Sequence, residues 1–164
     1  KGVETRKVAI LAADGVDGSA LTAMQRALKA AGAQSKIIAP RLGKLSTAQD
    51  QEVTVDWSFL TAGSVLFDAV FVPGGEKSAT TLVAEPRAVE FVGEAYKHCK
   101  TIGAAGEGAA LLEAAGIDKG KPQPGQKEAS AGVVVGKGTD TNGIATEFIK
   151  AVAQHRHWSR ERKE

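Results

Sequence analysis

The clearest chemical layout in the sequence lies at residues 103–112, which read GAAGEGAALL. A strand-like apolar run leads into a glycine-rich turn and then into a helical run, which is the layout of a nucleophile elbow. Such an elbow holds one Cys or Ser in a strained backbone conformation at a helix N-terminus, where backbone N–H groups stabilise developing negative charge. Gly106 stands at the nucleophile's position. Covalent acyl or aldehyde chemistry has no attacking atom there, so we expect a non-catalytic elbow.

The elements that must position this turn follow from the hydrophobic pattern. Mostly continuous apolar runs are typical of strands that are covered on both faces of a parallel sheet. They predict strands at 8–12, 35–39, 69–72, 101–104 and 132–135. Apolar residues at helical spacing predict helices at 19–31, 86–98, about 108–115 and about 140–155. The alternation predicts an α/β fold, a doubly wound, mostly parallel sheet with helices on both faces.

Length and composition bound the remaining possibilities. The 164 residues, 43% of them hydrophobic and 24% charged, fit one soluble domain. We expect a linker end at residues 1–6, a single domain at 7–155 and a charged tail at 156–164, with a small strand pair around 53–55 and a surface loop at 119–130. The net charge of +2 belongs to the tail, so the body lacks the basic face that nucleic acids require. No apolar run is long enough to cross a membrane, and no targeting segment is visible, so the compartment is left open.

Ligands of open parallel sheets gather beyond the carboxyl ends of the strands. Three loops follow strands there: residues 13–18, residues 73–76 and the elbow. The string FDAVFVPGG at 67–75, taken together with the elbow AAGEG at 104–108, resembles the DJ-1/PfpI superfamily. That resemblance spans nearly the whole chain and implies a flavodoxin-like fold.

The resemblance also shows what this chain lacks. Active members of the superfamily carry an elbow that reads Ala-x-Cys-x-Gly, and they pair the Cys with an acidic residue in the first loop and often with a nearby His. Gly106, Glu107 and Gly108 occupy the elbow here, and Gly18 occupies the acid position. The sequence has no histidine between positions 98 and 155. We therefore expect no catalytic residue at this site.

These departures are themselves characteristic. An elbow of the Gly-Asp/Glu-Gly type, a first loop reading ADGVDG at 13–18 and an ending like QHRHW at 154–158 together resemble the C-terminal domain of large-subunit catalases of bacteria and fungi. The resemblance implies that a haem catalase core precedes the domain, and that haem and peroxide chemistry belong to that core. It implies no cofactor in the domain itself.

The resemblance further implies partners and roles. The partners would be the catalase core of the same chain and neighbouring subunits of a homo-tetramer. The domain would contribute stability or assembly, and as a superfamily member it would also hold unfolding client proteins. The alternative is a glyoxalase, hydrolase or amidotransferase of the same fold that has lost or relocated its nucleophile.

Other candidate residues have a structural and a functional interpretation. The lone thiol, Cys99, is expected to be buried near the amino edge of the sheet, although Lys97 and Lys100 leave a reactive thiolate open. Glu107 is expected to act through helix-terminus electrostatics, with a residual binding or acid–base role as the alternative. Asp14 and Asp17 are typical of turn and N-cap residues.

Three binding motifs are disfavoured by their context. The pair His155-x-His157 lacks a third metal ligand. The glycines at 103, 106 and 108 have the wrong spacing for a dinucleotide loop. The first loop carries two aspartates where a flavodoxin binds phosphate, so FMN binding is not expected.

Overall fold

The computed structural model describes residues 3–117, 132–136 and 141–154. The strands are β1 (Lys7–Leu11), β2 (Gln34–Ala39), β3 (Gly43–Ser46), β4 (Glu52–Val55), β5 (Trp57–Ser58), β6 (Ala69–Val72), β7 (Thr101–Ala105) and β8 (Val133–Gly136). The helices are α1 (Gly18–Ala30), α2 (Glu76–Val83), α3 (Pro86–Lys97), α4 (Ala109–Ala114) and α5 (Thr141–Val152). Short 3₁₀ turns lie at Ser64–Leu66 and Gly106–Gly108.

Six strands of the described residues form one sheet in the order β5-β2-β1-β6-β7-β8, and every neighbouring pair is parallel. The predicted strand pair is confirmed as the antiparallel hairpin of β3 and β4. Strand order reverses after β2, since β2 lies beside β1 on one side and β6 lies on the other. This doubly wound order confirms the predicted α/β fold of flavodoxin type.

Helices cover both faces of the sheet, as predicted. One core cluster joins Leu82, Phe91 and Leu111, from α2, α3 and α4, to one face of the strands. The other joins Leu21 of α1 and Phe148 of α5 to the opposite face. Alternating residues of the central strands serve the two clusters because successive strand side chains point to opposite faces. The continuous apolar runs follow from this double coverage.

Three helices end in the same motif. After α1, α3 and α4 the N–H two residues beyond the helix cap bonds back to a carbonyl in the last turn, as in Ala33 to Leu28 and Lys100 to Ala95. The left-handed residue in this motif is Gly32 after α1 and Gly116 after α4, but Cys99 after α3, with φ of 63°. Glycine is the usual residue there because it carries no Cβ.

The structure adds elements that the sequence pattern did not reveal. Helix α2 directly follows the loop after β6, and the short strand β5 extends the sheet beyond β2. The helix predicted from residue 108 begins as a 3₁₀ turn and becomes α-helical at Ala109. The predicted loop at 119–130 and the predicted tail at 156–164 lie outside the described residues, and the proposed domain bounds stay a prediction. In the part of the chain that is described, no helix has the length and apolar character needed to cross a membrane.

Candidate functional site

The three loops that the sequence places beyond the carboxyl ends of β1, β6 and β7 are in direct contact. The Asp17 N–H of the first loop donates to the Gly74 carbonyl oxygen at 2.8 Å. The Gly75 N–H donates to Glu107 Oε1 of the elbow at 2.9 Å. A Cβ atom at Gly75 would lie 2.4 Å from the Gly15 carbonyl oxygen, so these backbones meet with no room for a side chain.

The elbow makes a sharp turn between β7 and the helix that follows. Gly106 follows the end of β7 and has a φ of 52°, in the left-handed region that L side chains adopt at a cost. A Cβ atom at Gly108 would lie 2.3 Å from the Val72 carbonyl oxygen, so the turn packs directly against the end of β6. The sharp strand-to-helix turn is therefore present, and its position 106 carries only hydrogen.

Glu107 lies in the first turn after β7, as the sequence predicted, but its carboxylate also ties two loops together. Besides accepting the Gly75 N–H, it is held near its own backbone N–H. These N–H groups, that of Gly75 first, lower the pKa of Glu107 below its ordinary value of 4.5, and slight burial opposes them. The side chain is exposed, and Oε1 is engaged by the neighbouring loop.

Gly18, where the resemblance to the superfamily places an acid, is contacted by the β3–β4 hairpin. The Gly18 N–H donates to Gln49 Oε1 at 2.9 Å, and Gln49 Nε2 lies 3.3 Å from Asp17 Oδ1. A Cβ atom at Gly18 would lie 3.0 Å from that Gln49 oxygen and 3.2 Å from Thr47 Cβ. Sequence reasoning missed Gln49, because no local pattern links a hairpin residue to the first loop.

Both first-loop aspartates serve the turn and cap roles that the sequence predicted. Asp17 is the N-cap of α1, and its Oδ1 accepts from the Ser19 and Ala20 N–H groups at 3.0 and 3.4 Å. Asp14 Oδ1 accepts from the Ser46 N–H at 2.9 Å and so fastens the first loop to β3. Ser78 of α2, fully buried, accepts the Ala13 N–H through its Oγ at 2.9 Å.

Two open grooves flank the loops. One, of about 490 Å³, runs between α2 and α4 beside the elbow; its acidic walls are Glu76, Glu107 and Glu113, and its floor includes Ala79 and Ala110. The other, of about 520 Å³, lies between α1 and the β3–β4 hairpin and includes Gly18, Gln49 and Arg26. Among the described residues, neither lining contains a Cys, His or Tyr side chain. No described histidine lines these grooves to activate their Ser and Thr hydroxyls.

The remaining candidates lie elsewhere. Cys99 is 2% exposed at the opposite, amino edge of the sheet, which confirms its predicted burial. His98 is largely exposed at the end of α3, with Nε2 3.8 Å from Glu94 Oε1. Within the described ranges, no three His, Cys, Asp or Glu residues are grouped to hold a metal ion. His155 and His157 fall outside those ranges.

Solved structures with the same fold identify the fold class of the chain. The structure resembles Schizosaccharomyces pombe DJ-1, with a TM-score of 0.76 and 21% identity over 90% of this chain and 92% of that one. It also resembles a two-domain Anabaena variabilis protein with DJ-1/ThiJ/PfpI-like and ferritin-like domains, with a TM-score of 0.79 and 20% identity over 90% of this chain and 50% of that one. The chain therefore has the flavodoxin-like fold of DJ-1/PfpI proteins.

Comparison with related sequences shows the family within this fold class. Residues 4–162 match the family described as the C-terminal domain found in long catalases, and the chain belongs to that family. It is 41% identical to catalase HPII of Mycobacterium avium, covering 96% of this chain and 23% of that protein. It is 38% identical to catalase-2 of Bacillus subtilis, covering 98% of this chain and 22% of that protein. The chain thus spans less than a quarter of the length of these relatives.

Proposed function

We propose that this chain serves as a haem-free accessory domain of a long catalase, an enzyme that decomposes hydrogen peroxide to water and oxygen. The domain contributes to the stability and assembly of that enzyme, and its partners are the catalase core of the same chain and neighbouring subunits of a homo-tetramer. The observation that carries the proposal is an elbow without a nucleophile, whose carboxylate is bonded to the neighbouring loop. Gly106 offers no nucleophile, and the Gly75 N–H occupies Glu107 Oε1.

Haem is assigned to the core because the described residues do not fit it. The side chains that ligate haem iron in proteins include His, Tyr and Cys. His98 is largely exposed and paired with Glu94, Cys99 is buried, and Tyr96 packs against the core of the domain. None of the three lines either groove beside the loops.

The enzymatic alternative would require a nucleophile brought from another position. The only thiol of the chain is Cys99. It lies two residues before β7, whereas the elbow follows the end of that strand, and the Cys99 side chain is buried. A thiolate nucleophile needs exposure and a positive surrounding, so the buried thiol favours the accessory role.

The test is a comparison of the full-length long catalase with a variant that ends before this domain. Peroxide turnover and the half-life of heat inactivation are measured on both proteins. We expect turnover per haem to be unchanged, because the chemistry lies in the core, and the half-life to shorten. Reduced turnover per haem at an unchanged half-life would contradict an accessory, stabilising role.

A second candidate role is the holding of unfolding client proteins. It is favoured by large apolar side chains that the domain exposes, among them Leu60 and Val65. Light scattering from a heat-labile client measures it. Suppression of aggregation by this mechanism persists at high salt, since apolar contacts are not screened. No suppression at an equimolar ratio, or suppression that salt abolishes, would contradict it.

A further inference from the structure

The groove of about 520 Å³ between α1 and the β3–β4 hairpin is lined mostly by polar side chains. Its volume lies in the range of small-molecule sites. One wall is a face of α1 that carries Ser19, Thr22 and Arg26 at helical spacing. The other wall includes Gln49 and Gln51 of the hairpin. Hydroxyl, guanidinium and amide groups therefore border one cleft.

The hairpin wall of this groove is fixed by the protein's own hydrogen bonds. Gln49 Oε1 accepts the Gly18 N–H at 2.9 Å, so the side-chain amide is tied to the start of α1. Thr47, 4% exposed, accepts the N–H groups of Gln49 and Gln51 through its Oγ1 at 3.2 and 3.0 Å. The wall is therefore ordered in advance, which lowers the entropic cost of binding a ligand.

The guanidinium of the groove has no carboxylate partner among the described residues. Arg26 takes part in none of the ion pairs found there, and Glu52, the carboxylate of the groove, is paired with Lys44 at 3.5 Å. A guanidinium binds a carboxylate or a phosphate through two parallel N–H···O bonds. An anionic group is therefore favoured at the Arg26 end of the groove.

The opposite end of the groove disfavours an anion but offers hydrogen bonds. Asp17 Oδ1 accepts from the Ser19 and Ala20 N–H groups and lies 3.3 Å from Gln49 Nε2. Its negative charge would repel a second anion, whereas a neutral hydroxyl can bond to the Ser19 hydroxyl and the Gln49 amide. Ser19 and Arg26 lie about 10 Å apart along the helix axis. A ligand that reaches both ends thus carries one anionic group and several hydroxyls.

We propose that this groove binds a small polyhydroxylated oxyanion. Its carboxylate or phosphate lies on Arg26, and its hydroxyls bond to Ser19, Thr22 and the two glutamines. Sugar phosphates and sugar acids share this chemistry. The groove has no lining residue in common with the groove beside the elbow, and ligand binding there does not depend on the accessory role of the domain.

Equilibrium dialysis of the full-length long catalase tests this site. Glucose 6-phosphate and gluconate are the complete probes, while glucose and inorganic phosphate each supply only one half of the ligand. We expect at least one complete probe to bind saturably, and the half-ligands to bind about tenfold or more weakly, because each satisfies only one end of the groove. Binding of only one complete probe identifies the anionic group as phosphate or carboxylate.

Three results of the dialysis would overturn the proposal. Neither complete probe binds saturably, a half-ligand binds as tightly as the complete probe, or the enzyme truncated before this domain binds the probe equally well. The last result would place the binding site in the catalase core.

Matched variants of the full-length enzyme locate the ligand. Arg26→Gln should weaken binding of the complete probe about fivefold or more. Lys29→Gln removes a positive charge from the exposed surface of the same helix outside the groove, and should change binding by less than about twofold. Thr22→Val should weaken binding about threefold. Thr54→Val, at an exposed threonine of β4 outside the groove, should leave it unchanged. Equal binding by the two members of either pair would overturn the proposal.

Discussion

The two edges of the sheet are built differently. At the carboxyl edge, three loops meet backbone to backbone, with Gly75 against Gly15 and with Glu107 bonded across the gap. At the amino edge, Phe91 and Lys100 support the turn at Ser64–Leu66, where Val65 and Leu66 are exposed. Ligands of this fold class bind at the carboxyl edge, and here the three loops of that edge bond to one another between two open grooves. Fold and function are separable, because the packing of a fold depends on its core whereas chemistry depends on the residues of a site.

The largest loss of folding stability is expected from a side chain placed where the loops touch. In Gly75→Ala, the new Cβ would lie 2.4 Å from the Gly15 oxygen and 2.8 Å from the Asp17 nitrogen, at a φ of 113°. We expect the free energy of unfolding, measured with urea, to fall by about 3–4 kcal/mol. Gly43→Ala is the matched control, since Gly43 has a φ of 114° with nothing within 4 Å, and about 1–2 kcal/mol is expected there. Equal losses would show that the loop contact is not tight.

A smaller effect is expected at the elbow. Gly106 has a φ of 52°, which a β-branched residue adopts only under strain. Gly106→Val should lower the free energy of unfolding by about 1–3 kcal/mol. Gly106→Asn should lower it by less than about 1 kcal/mol, because Asn enters the left-handed region readily. A Val variant that unfolds like wild type would contradict the elbow geometry.

The smallest loss of stability is expected from removing the Glu107 carboxylate, which joins the elbow to the loop after β6. The fold lowers the pKa of Glu107, so its stabilising contribution is present above the ordinary value of 4.5 and is lost as pH falls through the lowered pKa. Solvent screens this exposed group, and Glu107→Gln should cost about 0.5 kcal/mol or less at neutral pH. The difference in stability between Glu107→Gln and wild type should vanish once the pH falls below the lowered pKa of Glu107. Glu90→Gln, at an exposed carboxylate of α3, serves as the control, and the same pH-dependent deficit in both variants would assign it to general charge effects.

The sequence predicted the sheet because strands buried on both faces read as continuous apolar runs. It missed α2, whose eight residues are mostly polar and include two adjacent threonines, a composition with weak helical preference. The helices predicted at 19–31 and about 108–115 both stop just before a glycine, Gly32 or Gly116, but Cys99 gives no such signal at the end of α3. The Cys99 side chain is buried in the core although its φ of 63° is one that glycine usually adopts.

The candidate site was predicted in outline and missed in its contacts. Strand order placed the three loops at one edge, and the residue types showed that position 106 lacks a nucleophile. The bonds that close the site join residues far apart in the chain, 32 positions for Glu107 and Gly75 and 31 for Gln49 and Gly18. Such pairings depend on the folded arrangement of loops and hairpin, and no local pattern encodes them.

The central claim is that the elbow performs no covalent chemistry, and activity assays test it most directly. Purified protein is assayed for turnover of an α-oxoaldehyde, an activated ester and a peptide, alongside Glu107→Gln and Gly106→Cys. We expect all three proteins to match the buffer background, because Gly106 supplies no nucleophile and an added thiol would have no partner acid at Gly18, where Gln49 is bound. Clear turnover by the unmodified protein that Glu107→Gln abolishes would contradict the account.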